Sequence, residues 1–284
     1  MVAIDAPAPA TSGRAGKPAG ESAGSVSAHA KPAHALATPL REVGSFFAMA
    51  LDTAVALATT RFAYREFVHQ CWFVARVSIL PGLLLTVPFS VIVTFILDIL
   101  LSEIGAADLS GAGAALATLT QTGPITSVLV VGGAGATAMC ADLGARTIRE
   151  ELDAMRVMGI DPIQRLVVPR VLALTLNAFL LNSIVCIAGV VGSYFFAVNV
   201  QHVTPGAFAD SLTTLMGLSE TVLCFLKAIM FGLAAGLIAC YKGITVGGGP
   251  QGVGNAVNET VVYTFVALFV INVLVTGVGV GATK

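Results

Sequence analysis

Charged side chains able to recognise a partner concentrate in residues 141–170, which we call the charged segment. They are Asp142, Arg146, Arg149, Glu150, Glu151, Asp153, Arg156, Asp161, Arg165 and Arg170. From Val77 to the C-terminus, the other basic residues are Lys227, Lys242 and Lys284. Long apolar stretches flank the charged segment, so we expect it to lie in water between two membrane spans. Its arginines indicate the cytoplasmic side, because Lys and Arg accumulate there.

The centre of the charged segment, residues 147–158, has the pattern of a short amphipathic helix. Ile148, Leu152 and Met155 follow helical spacing. Arg149, Glu150, Asp153 and Arg156 cover the other side of this helix, and Glu151 lies with Glu150 in its first turn. Gly159 is placed to end the helix, since glycine readily adopts the left-handed conformation after a last turn. Two interpretations remain open, namely a solvated loop helix and a helix that docks on a soluble partner.

Lys227 is the second chemical signal, because it lies inside an otherwise apolar stretch. An ionisable side chain within a membrane span is costly and by default suggests a function. The alternative is that Lys227 extends to the outer interface or pairs with Glu220, seven residues earlier. The functional interpretation is contact with an anionic head group in a cavity.

Other classes of chemistry find little support in the sequence. His29 and His34 lie in a low-complexity head, while His69 and His202 lie near opposite interfaces, and no HExxH motif occurs. The chain lacks the nucleotide-binding pattern GxxxxGK[ST], so we expect no directly bound cofactor. The net charge of -1 argues against nucleic-acid binding. The cysteines lack metal-site spacing and are expected to be small buried hydrophobes.

Composition identifies an integral membrane protein. Only 11% of the residues are charged and 56% are hydrophobic, whereas soluble domains carry about 25% charged residues. Five apolar stretches predict spans at about 71–101, 113–143, 167–200, 220–241 and 259–280. The Ala/Pro-rich composition of residues 1–39 predicts a disordered tail. Residues 40–70 mix apolar and charged residues and predict an interfacial helix.

Proline and glycine add detail to the first two spans. Pro81 and Pro88 lie on one face of the first span and predict a bend, made either for packing or to line a cavity. Gly132, Gly133 and Gly135 predict close helix packing in the second span. Asn177, Asn182 and Ser183 are expected to form hydrogen bonds between helices. Five spans starting inside place the N-terminus in the cytoplasm and the C-terminus on the outer side.

Several stretches together resemble one family over residues 65–280. They are REFVHQCWFVARVS, TGP at 122–124, ADLGARTIREELDAMRVMGIDPIQRLVVPRV, CFLKAIMFG and GGGPQGVGNAVNETVV. The chain is similar to the MlaE/YrbE permeases, the membrane subunits of ABC transporters that work with MCE-domain proteins. The Ala/Pro-rich head and the ADLGARTIREE stretch resemble the actinobacterial YrbE branch.

The resemblance implies an all-α integral membrane protein of the inner membrane, with an N-terminal interfacial helix, five spans and a cytoplasmic coupling helix between the second and third. It implies partners: an ATP-binding cassette ATPase that supplies ATP energy, a second YrbE/MlaE-like permease (expected to be a paralogue), MCE-domain proteins and membrane lipids. The coupling residues would be Arg149, Glu150, Glu151, Asp153, Met155, Arg156 and Gly159. The lipid cavity would include Pro88, Phe89 and Lys227.

This sequence departs from the proteobacterial pattern at three positions. Thr120 and Gln121 replace an Arg-Glu pair before Gly-Pro, and Ala134 replaces an arginine. A head-group or gating role for those charges is therefore in doubt, and a more apolar cavity suits a fatty-acid-like or sterol-like cargo. Two functions of other classes remain as alternatives: a non-transporting membrane scaffold for an envelope complex, and an intramembrane lipid enzyme.

Overall fold

The computed structural model describes residues 33–59, 63–106, 109–212 and 217–282. The chain separates into two units, Met1–Arg41 and Glu42–Lys284. Of the first unit, only the start of one helix, α1 from Ala33, is described. The described residues form helices joined by short connections and include no strand, which confirms the all-α fold.

Ten α-helices follow one another along the described chain. They are α1 (Ala33–Thr59), α2 (Tyr64–Glu103), α3 (Ser110–Ala117), α4 (Gly123–Val130), α5 (Thr137–Ile148), α6 (Glu151–Val157), α7 (Val168–Asn199), α8 (Pro205–Leu212), α9 (Leu218–Ile244) and α10 (Gly249–Ala282). Three π-helical turns accompany these helices. The turn Thr118–Thr122 joins α3 to α4, Val131–Ala136 joins α4 to α5, and Ile163–Val167 leads into α7.

Five continuous helical stretches of the described chain are long and apolar enough to cross a membrane. They are Tyr64–Glu103, Ser110–Ile148, Ile163–Asn199, Leu218–Ile244 and Gly249–Gly279. Within the most apolar part of each span, 22% of the residues are buried in the first span and 17% in the last. The corresponding share is 44% to 56% in the other three spans. The second, third and fourth spans therefore form the centre of the bundle.

The first span, α2, buries a polar stripe and exposes its large apolar residues. Its buried residues recur at every fourth position, as Gln70, Val74, Ser78, Gly82, Thr86, Ser90, Thr94 and Asp98. This stripe packs on α7, where Asn177, Leu181, Val185, Gly189, Ser193 and Ala197 recur at the same spacing. Matching rows of this spacing let two helices interlock. In lipid, small and polar residues suit the helix interface while large apolar ones face outwards.

Hydrogen bonds between helices connect the spans, as predicted for Asn177 and Asn182. The Thr94 hydroxyl donates to Ser193 Oγ at 2.7 Å, and Asn177 Nδ2 donates to the Cys71 carbonyl at 3.1 Å. Asn182 accepts from Ser127 of α4 at 3.1 Å. Ser183 differs from the expectation, because its hydroxyl donates to the Phe179 carbonyl of its own helix.

Glycines set the distance between neighbouring spans, as predicted for the second span. A Cβ atom on Gly135 would lie 2.9 Å from Leu174 Cδ1 of α7, and one on Gly132 would lie 3.1 Å from Thr264 Cγ2 of α10. Gly232 of α9 packs directly on the Thr175 backbone of α7. At these positions, the absence of a side chain lets the helices approach each other.

The structure differs from the predicted boundaries near the N-terminus and before the last span. Residues 33–39 of the predicted tail belong to α1, while 1–32 lie outside the described residues. The interfacial segment predicted as 40–70 ends earlier: α1 stops at Thr59 and α2 begins at Tyr64, before the predicted start at Cys71. The expected loop 241–258 is also shorter, because α9 reaches Ile244 and α10 starts at Gly249.

The prolines of α2 lie on the outside of the bundle. Pro81 and Pro88 are both exposed, and α2 continues as one helix from Tyr64 to Glu103. Pro81 lines a shallow groove against the second span, and neither proline interrupts α2.

Candidate functional site

Helix α6 lies in the charged segment between the second and third spans, and both of its ends are sharply defined. Glu150 precedes it with a φ of 59°, which separates α6 from α5. At the other end Gly159 has a φ of 76°. The Gly159 N–H donates to the Arg156 carbonyl at 3.0 Å, and the Ile160 N–H to the Met155 carbonyl at 2.9 Å. This is the double hydrogen bond of a Schellman motif, as the position of Gly159 predicts.

The helix starts later than the sequence predicts. The expected helix 147–158 is divided, because Thr147 and Ile148 still belong to α5. The Thr147 hydroxyl donates to the carbonyls of Leu143 and Gly243, which anchors the end of α5 to α9. Amphipathic spacing continues across the break and gives no sign of it.

Helix α6 has one packed face and one free face. Leu152 is buried, and Met155 packs partly on the same core. On the other side Val157 is 89% exposed and Met158 is 66% exposed. These are large apolar residues at the end of a charged segment, where an isolated chain leaves them uncovered. Such a surface fits a docking helix better than a solvated loop helix.

Ion pairs brace the charged residues of α6. Arg149 Nε lies 2.8 Å from Glu151 Oε1, and Arg156 Nη1 lies 2.7 Å from Asp153 Oδ1. All four side chains are well exposed. Exposed pairs stabilise a fold by only about 0–1 kcal/mol, so these charges are available to a partner surface.

An ionic cluster centred on the buried Arg170 lies where α2, α5 and α7 meet, and was not predicted as a site. Arg170 of α7 is fully buried, and its Nη2 donates to Asp142 Oδ2 of α5 at 2.6 Å. The same Nη2 lies 3.8 Å from Glu66 Oε1 of α2. Arg146 Nε lies 3.4 Å from Asp142 Oδ2. The cluster joins three spans, whereas the sequence had placed Arg170 in water with the rest of the charged segment.

Lys227 is buried in the bundle rather than extended to an interface. It is 3% exposed, and its Nζ donates to the Thr120 carbonyl at 3.3 Å in a π-helical turn of the second span. Glu220 forms no ion pair with it among the described residues; its carboxylate accepts from Ser219 at 3.0 Å. Lys227 and Glu220 nevertheless line one small pocket of about 90 Å³.

The sequence comparison identifies the family. A model of the MlaE permease family, described as "Permease MlaE", matches residues 67–278, a range that contains the three central spans and nearly all of the first and last. The chain belongs to the MlaE permease family. With its five apolar helices, this MlaE-family chain is a multi-pass membrane protein.

Relatives of the MlaE-family chain carry permease names. A probable ABC transporter permease protein of Synechocystis is 30% identical over 59% of this chain and 64% of its own length. The Arabidopsis thaliana protein TRIGALACTOSYLDIACYLGLYCEROL 1, chloroplastic, is 31% identical over 55% of this chain and 45% of its own length. The chain thus spans less than two thirds of these relatives. A probable ABC transporter permease protein of Rickettsia bellii is 26% identical over 83% of the chain and 91% of its own length.

The remaining predicted positions of the MlaE-family chain lie apart from Lys227. Pro88 and Phe89 are exposed on the outer face of α2, and neither lines the Lys227 pocket. Their assignment to a lipid cavity stays a prediction. Gln121 is exposed, and Ala134 is half-buried in a shallow groove between α2 and the second span. Thr120 contacts Lys227 through its backbone carbonyl, an acceptor that any residue at this position would supply.

Proposed function

We propose that this chain is the membrane-spanning permease subunit of an ATP-driven lipid transporter. A separate ATP-binding cassette ATPase would supply the energy, since the chain has no GxxxxGK[ST] pattern. A second permease, expected to be a paralogue, and MCE-domain proteins on the outer side would complete the complex. The charged segment would face the cytoplasm and the C-terminus the outer side, in the inner membrane.

Helix α6 carries this proposal. It is a short helix with defined ends, anchored by Leu152 on the core and presenting Val157 and Met158 to the outside. Arg149, Glu150, Asp153 and Arg156 surround that apolar tip with charge. An apolar centre with a polar rim is the usual composition of a protein interface. The ATPase would receive this surface, and its closure would displace α6.

The ionic cluster provides a route from α6 into the bundle. Asp142 belongs to α5, which leads directly into α6, and Arg170 opens the helix that follows. Glu66 adds the start of α2. A displacement of α6 would therefore act on three spans that share one set of charges, as a rigid-body change biased by nucleotide requires.

A lipid cargo is supported by chemistry and by one relative. Lys227 places a cation in an apolar bundle, where an anionic head group could meet it. The Arabidopsis relative carries the name of a glycolipid, trigalactosyldiacylglycerol. We propose a hydrophobic lipid, of the fatty-acid or sterol type, because Thr120, Gln121 and Ala134 leave the region with few charges.

The alternatives of other classes have less support. An intramembrane enzyme needs a nucleophile beside a base, and no cluster of three or more metal-ligating side chains occurs in the described residues. The one Gly-x-Ser-x-Gly sequence, residues 20–24, lies in the Ala/Gly/Ser-rich head, where composition alone makes such a match common. A non-transporting scaffold would not need a docking helix joined to buried charges.

The test reverses the charges at the start of α6. We expect Glu150→Lys with Glu151→Lys to reduce ATP-dependent lipid movement to background, because both the rim charge and the Arg149–Glu151 pair are inverted. The measurement is lipid transfer by the reconstituted complex, with membrane insertion checked by fractionation.

Glu103→Lys is the control, since Glu103 is an exposed acid at the opposite end of α2. That variant should transport normally. Transport at the wild-type rate by the α6 double variant would refute the coupling role.

A further inference from the structure

A groove with basic and aromatic walls lies at the start of α2, outside the sites described above. It has a volume of about 620 Å³. Its lining includes Tyr64, Arg65, Glu66, His69, Trp72 and Arg165. Arg165 comes from the π-helical turn that connects α6 to α7. The groove therefore lies between the first span and the segment that follows α6.

The charged residues that line the groove favour the binding of an anion. Arg65 and Arg165 are both exposed, and neither forms an ion pair with a carboxylate in the described part of the chain. The one acid of the lining, Glu66, is directed to other groups: its Oε1 accepts from Gln70 Nε2 at 2.9 Å and lies 3.8 Å from the buried Arg170. Among the described residues, neither guanidinium group is therefore paired with an acid, and guanidinium binds phosphate in a bidentate manner.

The aromatic residues indicate a membrane interface. Trp72 is 69% exposed and Tyr64 is 70% exposed. Tryptophan and tyrosine concentrate where lipid tails meet head groups, because their rings are apolar with one polar atom. Further along α2 the exposed residues are large and apolar, among them Leu80 and Leu84. The groove therefore lies at head-group level at one end of the first span.

We infer that this groove binds the phosphate-bearing head group of an anionic membrane lipid, in the leaflet on the side of the charged segment. Basic pockets between membrane helices bind such head groups. The lipid would bridge Arg65 at the start of α2 and Arg165 after α6. Its binding would fix the segment after α6 relative to the first span, so anionic lipid would regulate the movement of α6. The binding site itself requires only that the chain spans a membrane, whereas the regulation of α6 rests on the proposed function.

Trp72 provides a direct assay, because it is the only tryptophan of the chain. The full chain is reconstituted in phosphatidylcholine bilayers, and brominated phosphatidylglycerol or brominated phosphatidylcholine is added in increasing fraction. Bromine quenches the indole only in close proximity. We expect half-maximal quenching of Trp72 at a much lower fraction of the anionic lipid than of the zwitterionic one.

Arg65→Gln with Arg165→Gln should remove this preference. Each basic residue near a lipid surface is worth about 5-fold in binding, so the double variant should need roughly 25-fold more phosphatidylglycerol. The matched control is Arg41→Gln with Arg76→Gln, which removes two exposed arginines that do not line the groove. It should retain the preference. Unchanged thermal unfolding of both double variants verifies that they fold.

Three results would overturn the inference. The first is equal quenching of the wild-type chain by the two brominated lipids. The second is an unchanged preference in the Arg65/Arg165 variant. The third is displacement of the brominated lipid by inorganic phosphate as efficiently as by unlabelled phosphatidylglycerol, which would indicate a site for a free anion rather than for a lipid.

Discussion

Arg170 is a fully buried charge whose partners come from two other helices. Its guanidinium meets Asp142 of α5 and Glu66 of α2, and its Nη1 donates to the Leu166 carbonyl of the preceding turn at 3.2 Å. Removal of one partner of a buried ion pair leaves the other charge uncompensated, at a cost of about 3–5 kcal/mol. A single side chain therefore controls how three spans meet beside α6.

We expect Arg170→Met to lower the free energy of unfolding by about 1.5–3 kcal/mol, because Asp142 and Glu66, each about one-third exposed, lose their shared charged hydrogen-bond donor. Thermal or denaturant unfolding in detergent measures this. Arg149→Met is the matched control, since its guanidinium is 61% exposed and exposed pairs contribute at most about 1 kcal/mol. Equal stability of the two variants would contradict a structural role for the buried cluster.

At the scale of the helices, the contact between α7 and α9 depends on glycine. Gly232 packs on the Thr175 backbone, and a Cβ at Gly236 would lie 3.1 Å from Val171 Cα. Neither contact can be relieved by rotating a flexible side chain, because the opposing atoms are backbone. The two central spans can therefore approach this closely only with glycine at these positions.

Gly232→Ala should destabilise the bundle by about 1–3 kcal/mol, as overpacking of a close contact does. Gly277→Ala on α10 is the control, because no other atom lies within 4 Å of a Cβ built there. Alanine is a better helix former than glycine by about 1 kcal/mol, so the control should be neutral or slightly more stable. Unfolding of the two variants side by side measures the difference, and equal destabilisation would refute close packing at Gly232.

Sequence patterns predict the number and type of the helices but not where they break. Hydropathy locates five spans because lipid requires long apolar helices. The division of the second span by π-helical turns and the break at Glu150 depend on packing with α7 and α9, which a linear pattern does not contain. The chemistry of the cluster was hidden for the same reason: Arg170 is the last residue of the charged segment in sequence, but the fold buries it beside residues from two other helices.

Lys227 shows a similar limit. The sequence indicates an unusual lysine in a span, and the structure confirms that it is buried. The sequence does not reveal its partner, the Thr120 carbonyl, because that contact needs the π-helical turn of a different span. Residue type suggests a function here, whereas the local geometry comes only from the fold.

At the scale of the whole molecule, the size of the Lys227 pocket limits what a single chain can bind. Its volume is about 90 Å³, whereas sites for drug-sized ligands measure about 300–1,000 Å³. A lipid does not fit there within one chain. Pro88 and Phe89 lie on the exposed face of α2, away from this pocket. The predicted lipid cavity with all three residues would therefore have to form between this chain and the second permease that we propose.

We expect lipid retention to depend on Lys227 in the permease pair but not in the isolated chain. Native mass spectrometry of the pair should detect bound anionic lipid, reduced about tenfold by Lys227→Met because one charge-assisted hydrogen bond contributes about 1.5–3 kcal/mol. The isolated chain should retain the same small amount of lipid with either residue. Lys242→Met is the control, since Lys242 lies on the same helix but pairs with Glu259 at 2.7 Å.

Equal retention by the wild-type pair and its Lys227→Met variant would exclude Lys227 from the cavity. Retention by the isolated chain that falls with Lys227→Met would place the whole site within one subunit, and the second permease would then need a different role.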